Sequence, residues 1–441
     1  MSDTLPVARR RILIVSYWFP PEVGAAAERI AGLAQYLPAH GWDVHVLTAV
    51  RTGGVGAAVA EAEADRNTAF DVSAPGVTLH AVEDPRGSDR PFGDFDPRVK
   101  PPKWKRLARE LIFPDRFGRW ARRAAATGAE LARSISFDVV FATFPPASTV
   151  WAALRIESPA KFVLDYRDRW FGPGGYEPRF ELARRRHERL ERLAVARADR
   201  IVAVSEPMAD AIAQEQGIPR AKVIVIPNGY EVSSRDGATR GGAAAPEPMR
   251  RDPDDRLVIA HVGTVIARNR PELFLAALKR VADDPRLSNI LFRFVGNLSH
   301  DYVASLGLNR LVETTGLLPR NGALREMQAA DALLLLTGAY VGHWGASAKL
   351  FEYLQSGLPV LCLEEEPGSN DRAILERFVP DRAFFAPISD ADRIAEQITR
   401  IRAYRAGRPA PAMELDASFR EFSRAALTAR LAESLEAALE G

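Results

Sequence analysis

Gly263 and Thr264 directly follow Leu257-Val258-Ile259-Ala260, an apolar run of the kind buried in a parallel sheet. A glycine at a strand end lets backbone N–H groups approach an anionic oxygen, and the threonine adds a hydroxyl donor. Arg268 and Arg270 come within a few residues, where a guanidinium can bridge two phosphate oxygens. Farther on, Ser347, Lys349 and Glu352 open an amphipathic helix that stops before Gly357 and Pro359. Lys349 offers phosphate a point charge, and Glu352 can accept from two neighbouring hydroxyls, the pattern a ribose presents. A single Lys or Arg in such a place is usually a solvated surface charge. The combination at successive strand ends points to a phosphate-bearing ligand.

Other constellations are weaker. The loop after Ile12-Leu13-Ile14-Val15 contains Pro20-Pro21 and then Gly24 at a helix start, without a G-x-G-x-x-G fingerprint. Gly24 is either a backbone donor site or a tight turn. The seven histidines, at 40, 45, 80, 187, 261, 300 and 343, form no H-x-x-x-H and no carboxylate pairing, so no metal is expected. His261 reads as a core residue rather than a base. Asp94-Phe95-Asp96 has a D-x-D look but sits among Pro91, Gly93 and Pro97 instead of at a strand end.

These residues need elements to hold them. Ile12–Val15, a helix carrying Ile30, Leu33 and Leu37, Gly41, and Val44–Leu47 make a βαβ unit. The same grammar recurs at 138–142, 161–164, 200–204 and 223–226, with a long Arg-rich helix over 180–198. From Ser233 to Arg256 the composition turns to Gly, Ala, Pro and charges. A second series of strands follows at 257–260, 291–295, 332–336 and 359–362, and Leu427, Leu431, Leu435 and Leu439 mark a terminal helix. The expectation is an α/β protein of two doubly wound Rossmann-like domains facing a central cleft. The expected boundaries are 1–235, a linker at 236–256, 257–415, and a helix at 416–441 packing back towards the first domain.

At 441 residues the chain has room for two cores, and its net charge of +2 argues against a general nucleic-acid binder. The lone Cys362 allows no internal disulfide or thiolate zinc site, which fits a reducing, cytoplasmic setting. Apolar runs fall far short of a membrane span, and Arg9–Arg11 lead into Pro20-Pro21 without a cleavage-like site.

The ordered segments resemble the GT-B glycosyltransferases of the large retaining family 4. They are Pro20-Pro21 and Gly24 with Gly41-Trp42-Asp43-Val44; Ala198-Asp199-Arg200 through Val204-Ser205; Val225-Ile226-Pro227-Asn228-Gly229-Tyr230; His261-Val262-Gly263-Thr264; and Lys349-Leu350-Phe351-Glu352 with Gly357-Leu358-Pro359-Val360. The resemblance implies sugar transfer from a nucleotide-sugar to an acceptor hydroxyl with retention, and no cofactor. Arg268 or Arg270 and Lys349 would hold the donor pyrophosphate above Gly263 and Thr264, with Ser347 nearby. Glu352 would bind the ribose, Gly296-Asn297 and Thr315-Gly316 would flank the base, and Gly24 would add donors as the cleft closes. A sugar-nucleotide epimerase or a non-catalytic GT-B protein are the alternatives.

Two departures from that family stand out. Its paired-glutamate motif has an acidic residue where this chain has Trp344, within Gly342-His343-Trp344-Gly345; His343 and Trp344 are expected to face the acceptor or the sugar. Where many relatives carry a histidine, this chain reads Asp165-Tyr166-Arg167-Asp168-Arg169-Trp170. Asp168 could bind a sugar or acceptor hydroxyl and Arg167 an anionic group, or the two could form a structural ion pair. The segment Lys103–Phe113 places Trp104, Leu107, Ala108, Leu111 and Ile112 at helical spacing beside four cations. It is expected either to lie on an anionic membrane surface or to pack on the core. The expected partners are a nucleotide-sugar, a glycan or lipid-linked acceptor, and peripherally a membrane.

Overall fold

The structure, a computed structural model, describes residues 9–20, 22, 24–50, 75–84, 94–99, 102, 104, 110–172, 175–231, 255–338, 344–406 and 417–440. The chain divides into two compact units. The first comprises Met1–Asp89, Pro101–Glu231 and Phe422–Gly441; the second comprises Arg90–Lys100 and Val232–Glu421. Residues 90–100, expected in the first domain, therefore group with the second. The expected linker at 236–256 lies almost wholly outside the described residues, as does most of the expected helix at Lys103–Phe113.

The first unit is built on seven parallel strands: β1 (Arg10–Val15), β2 (Trp42–Val50), β3 (Val77–Glu83), β4 (Val139–Phe144), β5 (Lys161–Tyr166), β6 (Arg200–Ala203) and β7 (Val223–Val225). Their order in the sheet is β3-β2-β1-β4-β5-β6-β7. Ile12 through Val15 are fully buried, as a central strand covered on both faces requires. The helices are α1 (Ala25–Tyr36), α2 (Gly118–Ser134), α3 (Ala147–Ala153), α4 (Glu181–Arg197) and α5 (Glu206–Gln216).

The second unit repeats the plan with β8 (Leu257–Val262), α6 (Pro271–Arg280), β9 (Ile290–Val295), α7 (His300–Ser305), β10 (Val312–Thr314) and α8 (Arg320–Ala329). It continues through β11 (Ala332–Thr337), α9 (Ala348–Ser356), β12 (Val360–Glu364), α10 (Asn370–Phe378), β13 (Ala383–Pro387) and α11 (Ala391–Arg405). The parallel strands lie in the order β10-β9-β8-β11-β12-β13, so the direction of winding reverses between β8 and β11. At such a switch point the loops leaving the carboxyl ends of the strands diverge and open a crevice for a ligand. Phe95, from the short 90–100 segment, bridges to Leu298 just past β9 and packs on this core.

The last helix, α12 (Arg424–Glu440), lays Leu427, Leu431 and Leu435 against Ile30, Leu33 and Ala34 of α1 in the first unit. Burying each of these leucines contributes roughly 1.5–3 kcal/mol. Arg424 adds an ion pair to Glu28 at 2.8 Å. Among the described residues no helix is long and apolar enough to cross a membrane.

Candidate functional site

The site of the second unit starts where β8 stops. Gly263 has φ +115°, and its N–H donates to the Val295 carbonyl at 2.8 Å, so the chain leaves the sheet sharply. That turn brings the next carbonyl, on Thr264, to 2.6 Å from Lys349 Nζ. Lys349 also lies 3.2 Å from His261 Nε2. His261 Nδ1 faces the Leu334 carbonyl at 3.0 Å, and a carbonyl can only accept, so Nδ1 carries the proton and Nε2 accepts from Lys349. Burial, and then the facing ammonium, hold the His261 imidazole well below its usual pKa. Burial likewise pushes Lys349 down to about 8, opposed by Glu352 and Asp371.

The loop after β8 is clamped from the side. Asn297 is buried; its Oδ1 accepts the Val265 N–H at 2.7 Å and its Nδ2 donates to the Val265 carbonyl at 3.2 Å. Gly296 precedes it because any Cβ there would run into the Gly263 carbonyl. The Asn297 side chain thus holds both backbone groups of Val265 in place at the end of β9. Thr315 N–H donates to Phe294 at 3.0 Å and its hydroxyl to the exposed Gly316 carbonyl at 3.0 Å.

The start of α9 is held by Asp371, which sequence reasoning did not single out. Its Oδ1 accepts the Ser347 N–H at 2.8 Å and its Oδ2 the Thr337 hydroxyl at 3.0 Å. Burial raises its pKa to about 6, against those hydrogen bonds. Lys349 and Glu352, three residues apart on α9, share a helix face. Glu352 Oε1 receives Arg320 Nη2 at 2.8 Å, and Arg320 too was missed. Tyr353, on the same helix, takes the Val262 N–H on its hydroxyl at 2.8 Å.

The two arginines differ. Arg270 sits in the left-handed region at φ +52° and is paired with Glu272 at 2.7 Å and Glu365 at 3.0 Å. Arg268 is exposed. Trp344 is half-buried, and His343 lies outside the described residues.

In the first unit Gly24 caps α1, and its carbonyl accepts the Glu28 N–H at 3.0 Å. At the end of β5, Asp165 is fully buried and takes Arg29 Nη2 at 2.8 Å and the Thr143 hydroxyl at 2.8 Å. The same hydroxyl accepts Arg167 Nε at 2.9 Å, and Arg167 also donates to the Pro145 carbonyl. Burial lowers the Arg167 pKa, with Asp168 and Asp165 opposing. Asp165 is thus a buried structural carboxylate of this stretch, while Asp168, partly exposed, also supports the Arg167 cation. Of the D-x-D segment, Asp96 is bound by Arg98 at 2.6 Å.

Residues 24–229 match the family described as a glycosyl transferase 4-like domain. No curated protein sequence matches the chain. Sucrose-phosphate synthase from Thermosynechococcus elongatus has a similar structure, with TM-score 0.61 and 15% identity over 97% of this chain and 99% of that one. The catalytic domain of starch synthase IV from Arabidopsis thaliana, bound to ADP and acarbose, gives 0.57 and 12% over 99% and 100%. An epimerase-type neighbour, described as a putative UDP-N-acetylglucosamine 2-epimerase from Listeria monocytogenes, gives 0.53 and 10% over 98% and 97%. At these identities the likeness concerns the fold. Residues 24–229 are thus similar to a glycosyl transferase 4-like domain, and the two units have the GT-B fold that the sequence resemblance implied.

Proposed function

We propose that the protein transfers a hexosyl group from a nucleotide-sugar to an acceptor hydroxyl, with retention and without a metal. The observation that carries this reading is the Lys349–Thr264 contact at the β8/β11 switch point, with Glu352 one turn farther along α9. Lys349 and Arg268 meet the diphosphate, Glu352 takes the ribose hydroxyls, and the N–H groups around Gly263 approach the phosphate oxygens. Arg270 joins them only by leaving Glu272 and Glu365. As the anomeric carbon–oxygen bond to phosphate breaks, negative charge grows on the leaving oxygen and the fixed cations stabilise it. The acceptor oxygen bonds to the anomeric carbon on the same face and its proton passes to the leaving phosphate. Trp344 and His343, with Asp168 and Arg167, are assigned to the sugar and the glycan or lipid-linked acceptor.

Donor consumption should be followed for wild type and Glu352→Ala across UDP-, GDP- and ADP-sugars. Transfer that is lost in the variant supports the reading. Isomerised donor without transfer would identify an epimerase, and nucleotide binding without turnover a non-catalytic relative.

Attachment to an anionic membrane is a second part of the proposal, favoured by α4. Leu182, Arg186, Arg189 and Leu193 recur at i, i+4, i+7 and i+11 and all face solvent. Among the described residues neither Arg186 nor Arg189 has a carboxylate within ion-pair distance. Co-sedimentation with vesicles of anionic phospholipid at low salt should be strong and should fall in Arg186→Glu/Arg189→Glu. Equal recovery with zwitterionic vesicles would dismiss it.

A further inference from the structure

Glu352 does not project freely into its crevice. Arg320 Nη2 donates to its Oε1 at 2.8 Å, and both side chains are about three-quarters buried, at 21% and 26% exposure. The pair joins separate elements: Arg320 is the first residue of α8, beyond the exposed Leu317 and Leu318, whereas Glu352 belongs to α9. On α9 the nearest cation is Lys349, three residues back on the same face, where the two charges attract along the helix. An unrestrained Glu352 could swing onto that ammonium, and each group would then neutralise the other.

We propose that Arg320 is a positioning residue: by holding Glu352 Oε1 it keeps the carboxylate off Lys349 and aims Oε2 at the vicinal hydroxyls of the donor ribose. The inference rests on the nucleotide reading above and extends it to a residue outside the expected set. Arg320 need not touch the nucleotide. It divides the labour on α9, leaving Lys349 for the diphosphate and Glu352 for the sugar ring of the nucleoside. The Nη2 bond also uses only part of the acceptor capacity of the carboxylate, which has about four lone-pair sites.

The test is a binding comparison that does not depend on turnover. Calorimetric titrations with UDP, GDP and ADP, and with the 2′-deoxy form of whichever binds best, give a ribose preference for each variant. Wild type should prefer the ribonucleotide by roughly tenfold, the size expected for a hydrogen bond to a charged group. Arg320→Gln should reduce that preference to about twofold or less, and Arg320→Lys should restore part of it. A purely structural Arg320 would lower the melting temperature and leave the preference intact. Should Arg320→Gln fail to fold, Arg320→Met, which keeps the side-chain length, gives the same comparison. An unchanged preference in the Gln or Met variant, with Glu352→Gln losing it, overturns the inference and spares the nucleotide reading. Failure of wild type to bind any of the three diphosphates overturns both.

Discussion

A side-chain carbon placed on Gly263 would lie 2.5 Å from Cε of Lys349. The lysine reaches the Thr264 carbonyl only because residue 263 has no Cβ, and φ +115° at that residue suits glycine alone. Gly263→Ala should therefore displace Lys349 and strain the turn by about 1–3 kcal/mol. The expected outcome is a lower melting temperature together with at least tenfold weaker nucleoside diphosphate binding. Titration calorimetry on folded variant checks it, and wild-type affinity would show that the lysine does not hold the ligand.

Binding should also report the state of Lys349. In the free protein its ammonium gives up its proton near pH 8, where an ordinary lysine keeps it to 10.5. The cationic form binds a diphosphate, so affinity should be flat below about pH 7.5. Above pH 8 it should fall, by up to roughly tenfold per pH unit. Proton uptake on binding at pH 8.5, measured in buffers of different ionisation enthalpy, is the companion signal. A flat affinity profile to pH 9.5 would contradict the assignment.

Asn297→Ala removes both groups that satisfy the buried backbone of Val265. Leaving that N–H and carbonyl without partners should destabilise the second unit by about 2–4 kcal/mol. Urea denaturation followed by intrinsic fluorescence measures it. A loss below about 0.5 kcal/mol would mean that water replaces the amide without penalty.

In the first unit the Arg29–Asp165 pair is almost wholly enclosed, and Arg29 also donates to the Pro227 carbonyl at 2.9 Å. Arg29→Ala strands a buried carboxylate and should destabilise the unit by about 3–5 kcal/mol. Arg29→Met/Asp165→Leu, which removes both charges, should recover much of that loss. Equal stability of the single and double variants would show that the charge is not the cause.

The central strands were legible because each is a short, uniformly apolar run bounded by turn residues; Ile12–Val15 and Ala332–Leu336 are the clearest. Three strands passed unread, namely β3, β10 and β13, and each borders its sheet. β3 mixes Thr78, His80 and Glu83 with its apolar residues and is mostly half-buried. β10 has only three residues, and β13 ends in Pro387. An edge strand buries less and so leaves a weaker pattern.

Gly263 and Lys349 stood out in the sequence as residue types suited to close approach to an anion, and the fold brings the two side by side. The partners of the remaining charges did not stand out. Glu365 lies 95 residues from Arg270 and Arg320 lies 32 from Glu352, so neither pairing leaves a local signal. The bonds of the Asn297 amide to Val265, 32 residues away, were equally invisible.

The peptide that carries Phe95 is continuous with the first unit's sequence on both sides, yet its bridge to Leu298 belongs to the second. Ser299 N–H donates to the Phe95 carbonyl at 3.1 Å. A fragment cut at residues 232 and 421 would leave that pairing behind and bare a patch of the β9 end. Chimeras that exchange the second unit must therefore carry the 90–100 insert along with the unit it completes, so one crossover site is not enough.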